Sequence, residues 1–181
     1  MNYHNITKSD MLNGDGLRVV LWLAGCEHHC KNCQNPVTWD PEGGLIFDLD
    51  ALLEIEEELS KPYISGLTFS GGDPLHPSNR KEVLDTAACL KYRFPNKTIW
   101  LYTGYSWEQI HRMSGIENID VIVDGKFIEE LADVTYPWAG STNQRIIDVK
   151  KSLVTGCAIN YGNEKVKVEE IHHEDTCGCD A

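Results

Sequence analysis

The chain has 181 residues, enough for one ordinary domain whose core needs no disulfide staples. With 41% hydrophobic and 24% charged residues it reads as a soluble globular protein, and no apolar run approaches the roughly 20 residues of a membrane span. The formal net charge of -12 argues against nucleic acid as the main partner, because phosphate binding relies on clustered Lys and Arg.

The first residues, MNYHNITKSD, carry neither a basic n-region nor an apolar h-region. This predicts a cytoplasmic protein in a reducing compartment, where seven cysteines mean metal, catalysis or burial. From residue 18 onward, apolar β-type segments alternate with amphipathic ones. RVVLWLAG (18–25) reads as a buried strand, and DLDALLEIEEEL (48–59) as a helix capped by Asp48, with Leu49, Leu52, Leu53 and Leu59 facing inward. Glu54, Glu56, Glu57 and Glu58 of that helix read as a solvated face. ISGLTFSGG (64–72) is the next strand. PSNRKEVLDTAACLKYRF (77–94) follows as a helix with Val83, Leu84, Ala87 and Leu90 on one side, stopped by Pro95. KTIWLYTG (97–104) is strand, SWEQIHRM (106–113) a short helix and NIDVIVDG (118–125) strand, with a fifth strand in QRIIDVKK (144–151).

This βαβα order predicts an α/β fold with a largely parallel sheet, because parallel neighbours need crossover connections. The strands are too few for an eight-stranded barrel, so an open, partial barrel or twisted sheet is expected. Residues 1–151 form the expected core domain. Residues 152–181 read as an extension, with an edge strand at 165–171 and a polar tail containing His172, His173, Cys177 and Cys179. The segments AGCEHHCKNC, SGGDP, YTGY and VDGKF all fall at the carboxyl ends of expected parallel strands, where open α/β sheets place ligands.

Gly25 to Asn35, GCEHHCKNCQN, places Cys26, Cys30 and Cys33 in one short loop. Those spacings could also share a helix face, but buried cysteines on a helix should sit in an apolar stripe, whereas Glu27, His28, His29, Lys31 and Asn32 interleave them. A zinc site needs a fourth ligand, from a loop histidine or from Cys177 or Cys179, and would make the protein a zinc-stabilised binding module. An iron–sulfur cluster explains the pattern more economically: three thiolates hold three irons, leaving the fourth open to a ligand. His28 and His29 read as residues solvating the loop. Cys89 and Cys157 are isolated and take no role.

Cysteine, three residues, cysteine, two residues, cysteine after the first strand resembles the hallmark of the radical S-adenosylmethionine enzymes. In combination with it, NGDGLR (13–18), GGDPLHP (71–77), YTGY (102–105), VDGKF (123–127) and GSTNQRIID (140–148) resemble the anaerobic ribonucleoside-triphosphate reductase activating proteins. The resemblance runs from MNYH to about Asp148. It implies a partial barrel of the radical S-adenosylmethionine type, holding a 4Fe-4S cluster through Cys26, Cys30 and Cys33. It further implies reductive cleavage of S-adenosylmethionine to a 5'-deoxyadenosyl radical, and a glycyl radical on the large subunit of the anaerobic reductase. A flavodoxin-like protein would supply the electron. Asn32, Cys33 and Gln34 with Gly72 are the implied S-adenosylmethionine contacts, and Asp73, Thr103 and Asp124 are further candidates, against plain readings as turn or strand-end residues. Another glycyl-radical activase, or a small-molecule enzyme of the same superfamily, shares the cluster and differs in target. Asp15 departs from the pattern, standing where many relatives have proline, and the tail beyond Asp148 is longer.

Overall fold

A computed structural model describes residues 1–162. Its strands are β1 (Asn2–Asp10), β2 (Arg18–Leu23), β3 (Leu45–Ile46), β4 (Gly66–Gly71), β5 (Thr98–Tyr102), β6 (Val121–Asp124) and β7 (Arg145–Asp148). The helices are α1 (Leu49–Leu59), α2 (Arg80–Arg93), α3 (Trp107–Ile110) and α4 (Val149–Thr155). One open seven-stranded sheet runs in the order β3-β1-β2-β4-β5-β6-β7. Its middle, β2-β4-β5-β6, is parallel, and register pairs Trp22 with Ser70 and Tyr102 with Val123.

The flanks correct the sequence reading. β1 pairs antiparallel with β2 and β3, and β7 pairs antiparallel with β6, so the sheet is mixed rather than largely parallel. β7 also stops earlier than expected. Asp148 ends it and caps α4, its carboxylate accepting from Lys151 N at 3.0 Å, so that α4 crosses position 151 without a break. The expected edge strand at 165–171, with His172, His173, Cys177 and Cys179, lies outside the described residues.

The central strands are apolar because helices cover one face and a second small core fills part of the other. Val19, Leu21, Leu23, Leu67, Phe69, Ile99, Leu101 and Ile122 pack with the helices. Trp100, Val121 and Val123 occupy the opposite face, joined by Tyr102, Trp138, Ile146 and Tyr161. In α1 the buried stripe is Ala51, Ile55 and Leu59 with Leu52 packed beside it; of the leucines read as inward, Leu52 and Leu59 are, while Leu49 and Leu53 are exposed. Glu56 and Glu58 are buried too. They pair with Arg93 and Lys61, so the supposed solvated face is partly a packed, ion-paired one. In α2, Val83, Leu84, Ala87 and Leu90 are buried as expected.

At the amino end of the parallel strands, Arg18 is fully buried. Its guanidinium donates to Thr68 Oγ1 (2.8 Å), Thr98 Oγ1 (2.8 Å) and the carbonyls of Asp15 (3.0 Å), Leu67 (2.7 Å) and Thr98 (2.8 Å). It also lies 5.3 Å from the centroid of Trp100. Five neutral acceptors thus hold a buried cation, and burial pulls its pKa down to about 10, still leaving it charged at neutral pH.

Candidate functional site

The loop bearing Cys26, Cys30 and Cys33 leaves the carboxyl end of β2 and is tied down at its root. Gly25 N donates to Thr38 O (2.7 Å), Cys26 N to Trp39 O (3.0 Å) and Cys33 N to Cys30 O (3.1 Å). His29 and Asn32 take left-handed conformations, φ 46° and 53°, which let the loop wind tightly between thiols. All three cysteines are free and partly buried. Burial pushes the Cys26 thiol up, opposed by a hydrogen bond from the His28 backbone, and Asn35 N lies 3.4 Å from Cys33 Sγ.

Asp73 joins three strand ends. Its carboxylate, 1% exposed, accepts from Leu75 N (2.8 Å), Thr103 Oγ1 (2.9 Å), Gly104 N (3.0 Å) and the His28 ring at 2.5 Å. His28 is therefore not a solvating residue. Its side chain is nearly buried, pairs with Asp73 and meets the Tyr105 ring edge-on at 4.7 Å, because the loop folds back over the end of β5. His29 remains exposed and contacts Trp39 edge-on. Nothing in the sequence tied His28 to a carboxylate 45 residues away.

Gly71 and Gly72 close the same junction. Gly72 N donates to Leu23 O (2.8 Å) and Asp73 N to Gly25 O (2.7 Å). A Cβ on Gly72 would stand 2.5 Å from Gly25 O and 2.9 Å from Thr38 O, so the glycine here admits the root of the cysteine loop.

A cavity of about 760 Å³ opens beside this junction. Cys26, Cys30, Cys33, Gln34, Gly72, Asp73 and Thr103 all line it, together with Trp22, Ser70 and Tyr102 from the sheet. Among its lining residues are Asp10, Asp73 and Asp133 but no Lys or Arg, which favours a cationic group inside. The Trp39 indole nitrogen and the Tyr102 hydroxyl, both on lining residues, are enclosed and lack a hydrogen-bond partner among the described residues.

Two other candidates lie elsewhere. Asn32 is exposed and donates to Glu129, while Lys31 bridges Glu129 (2.8 Å) and Glu130 (3.2 Å), so this part of the loop leans on the segment after β6. Asp124 is buried away from the cavity lining, accepting from Trp107 N (2.7 Å) and from Arg145 Nε (3.0 Å). Arg145 also reaches Glu108 at 3.0 Å and holds that carboxyl down at about 2. Cys89 is exposed.

The family described as "4Fe-4S single cluster domain" matches residues 12–147, spanning the cysteine loop and the parallel strands. An anaerobic ribonucleoside-triphosphate reductase-activating protein of Enterobacteria phage T4 is 45% identical over 146 residues, covering 81% of this chain and 93% of its own. Proteins of the same name from Haemophilus influenzae and Escherichia coli strain K12 are 41% and 38% identical, covering 81% and 80% of this chain and 97% and 96% of theirs. The chain belongs to the 4Fe-4S single-cluster family and, within it, groups with the anaerobic ribonucleoside-triphosphate reductase-activating proteins.

Proposed function

We propose that this protein is an iron–sulfur activase that cleaves S-adenosylmethionine reductively and places a glycyl radical on an anaerobic ribonucleoside-triphosphate reductase. The observation that carries this reading is the convergence of three free cysteines and the Gly71–Gly72 turn on one cavity. The donor set fits a 4Fe-4S cluster held by Cys26, Cys30 and Cys33. Three free thiols on one loop are the donor chemistry of a four-iron cluster, each thiolate taking one iron and the fourth iron left open to a ligand. A sulfonium suits a cavity lined by aspartates without Lys or Arg. When bound, cluster and S-adenosylmethionine supply one-electron cleavage of a carbon–sulfur bond and a carbon radical that takes a hydrogen atom from a glycine Cα.

The chain's own residues hold this chemistry in place. Gln34 and the Gly72 backbone face the cofactor, while Asp73 and Thr103 act behind them, fixing the cysteine loop through His28. The open sheet is read as a partial barrel of the radical S-adenosylmethionine type, its mouth accessible to a loop of another protein. An external one-electron donor docks from outside.

The test is anaerobic incubation of cluster-loaded protein with reductant, S-adenosylmethionine and a reductase grown on α-deuterated glycine. A glycyl radical signal and deuterium in 5'-deoxyadenosine are expected. Replacing Cys26, Cys30 or Cys33 by Ala should abolish cluster content and label transfer, while Cys89→Ala should change neither. No deuterium in 5'-deoxyadenosine, from native protein with a reduced cluster and bound partner, would reject the activase reading.

A further inference from the structure

The cavity beside the cysteines is a trough that runs along the strands. The cysteine loop lines it at the carboxyl end of β2, and the turn at Asp10–Asn13 lines it at the other end, since Asp10 faces Arg18 across the ladder of β1 and β2. Five steps of strand separate Arg18 from Leu23, a span on the order of 17 Å. Two lips overhang the part away from the cysteines. The first is the Asp10–Asn13 turn, held by the Asp10 carboxylate, which accepts from Leu12 N (2.8 Å) and Asn13 N (2.7 Å). The second is the segment from Asp133 to Gly140, pinned at its base by Asp133 N to Gly140 O (3.3 Å) and by Gln144 Oε1, which accepts from Gly140 N (2.9 Å). Both lips rest on one layer of the sheet, where Thr68 pairs with Trp100. Asn13 O accepts from Thr68 Oγ1 (2.7 Å), and the Trp138 ring meets Trp100 edge-on at 5.2 Å.

The lips carry apolar side chains into water. Of the four most exposed large apolar side chains among the described residues, three line this one cavity: Val134 at 101%, Leu12 at 79% and Met11 at 74%. A small ligand lies between the walls of its pocket and leaves such a rim wet, whereas a docked protein covers it. The proposed cofactor contacts, Cys33, Gln34 and Gly72, gather at the cysteine end of the trough. A polypeptide whose glycine meets that cofactor has to enter the same trough and cross its rim. Resting on the activase reading, we propose that Met11, Leu12 and Val134 are docking contacts for the reductase, gripping apolar side chains of the segment that carries the target glycine. Because each lip is tied by its own hydrogen bonds, the grip is formed before the partner arrives, and little ordering entropy is lost on docking.

The experiment compares cluster-loaded native protein with Met11→Ser, Leu12→Ser, Val134→Ser and the triple variant. Ile46→Ser and Tyr92→Ser serve as controls, since both side chains are as exposed but lie off the cavity lining. Calorimetry gives the Kd for the reductase and for S-adenosylmethionine, and electron paramagnetic resonance follows the glycyl radical. Each single rim variant should raise the reductase Kd about three- to tenfold and the triple variant about a hundredfold, with cofactor affinity and melting curve at their native values. The controls should bind the reductase as the native protein does. Rim variants that bind it natively overturn the proposal, as do controls that weaken binding equally. A fall in cofactor affinity with an unchanged reductase Kd would assign the rim to the cofactor and overturn it as well. Native protein that leaves no radical on the reductase sinks the activase reading, and the rim as a substrate contact with it. Native protein that makes the radical, beside rim variants that bind as tightly, sinks the rim alone.

Discussion

Arg18 and Asp73 are both buried charges on the parallel strands, at opposite ends. Arg18 meets only neutral acceptors and closes the floor of the sheet against Trp100. Asp73 meets amides, a hydroxyl and a histidine, three of them on the ends of other segments. The difference lies in what each charge ties: the floor charge links strands within the ladder, while the roof charge ties the cysteine loop down onto the ends of two neighbouring strands.

Breaking the floor should have the largest effect. Arg18→Met removes five hydrogen bonds from a buried site, which should destabilise the whole domain by about 3–5 kcal/mol in chemical denaturation. Breaking the roof should be more local. Asp73→Asn keeps the shape but loses an acceptor for Gly104 N or His28, at a cost of about 1–3 kcal/mol. Its sharper signature is faster alkylation of the cysteine loop in the apo-protein at native pH. If Arg18→Met exposed those thiols while leaving global stability intact, the two ends would have been assigned the wrong way round.

Gly72→Val sharpens the roof further. Its side chain would press on the backbone of Gly25 and Thr38, so cluster content should fall together with cofactor affinity. The smallest effect belongs to Glu108, whose carboxyl is mostly exposed beside Arg145. Its folded pKa lies below its ordinary 4.5, so any stability it adds is present above that pH and lost as pH falls toward about 2. Glu108→Gln should flatten that stretch of the acid unfolding curve by less than about 1 kcal/mol.

The parts of the molecule visible in sequence are those written in local chemistry. The apolar runs of β2, β4, β5 and β6 and the Asp48 cap of α1 are local, and the structure has them. β1 escaped because NYHNITKSD is polar and half-buried, and its strand character comes from pairing on both sides. The leucine face of α1 misled because Leu49 and Leu53 are hydrophobic without being inward, while Ala51 and Ile55 carry the stripe. At the site, the cysteine spacing announced itself. The contact of His28 with Asp73 depends on how two strands lie in space, which no spacing encodes.

The close approach of Gly72 to Gly25 and Thr38 sets a rule for transplantation. The loop from Gly25 to Trp39 and the turn from Gly71 to Asp73 are halves of one interlocking part, joined by Asp73 N to Gly25 O and the His28–Asp73 pair. Grafted alone onto another open sheet, the loop would keep only its own Gly25–Thr38 and Cys26–Trp39 hydrogen bonds at the root; moved as a cassette with the turn, it brings its own clasp.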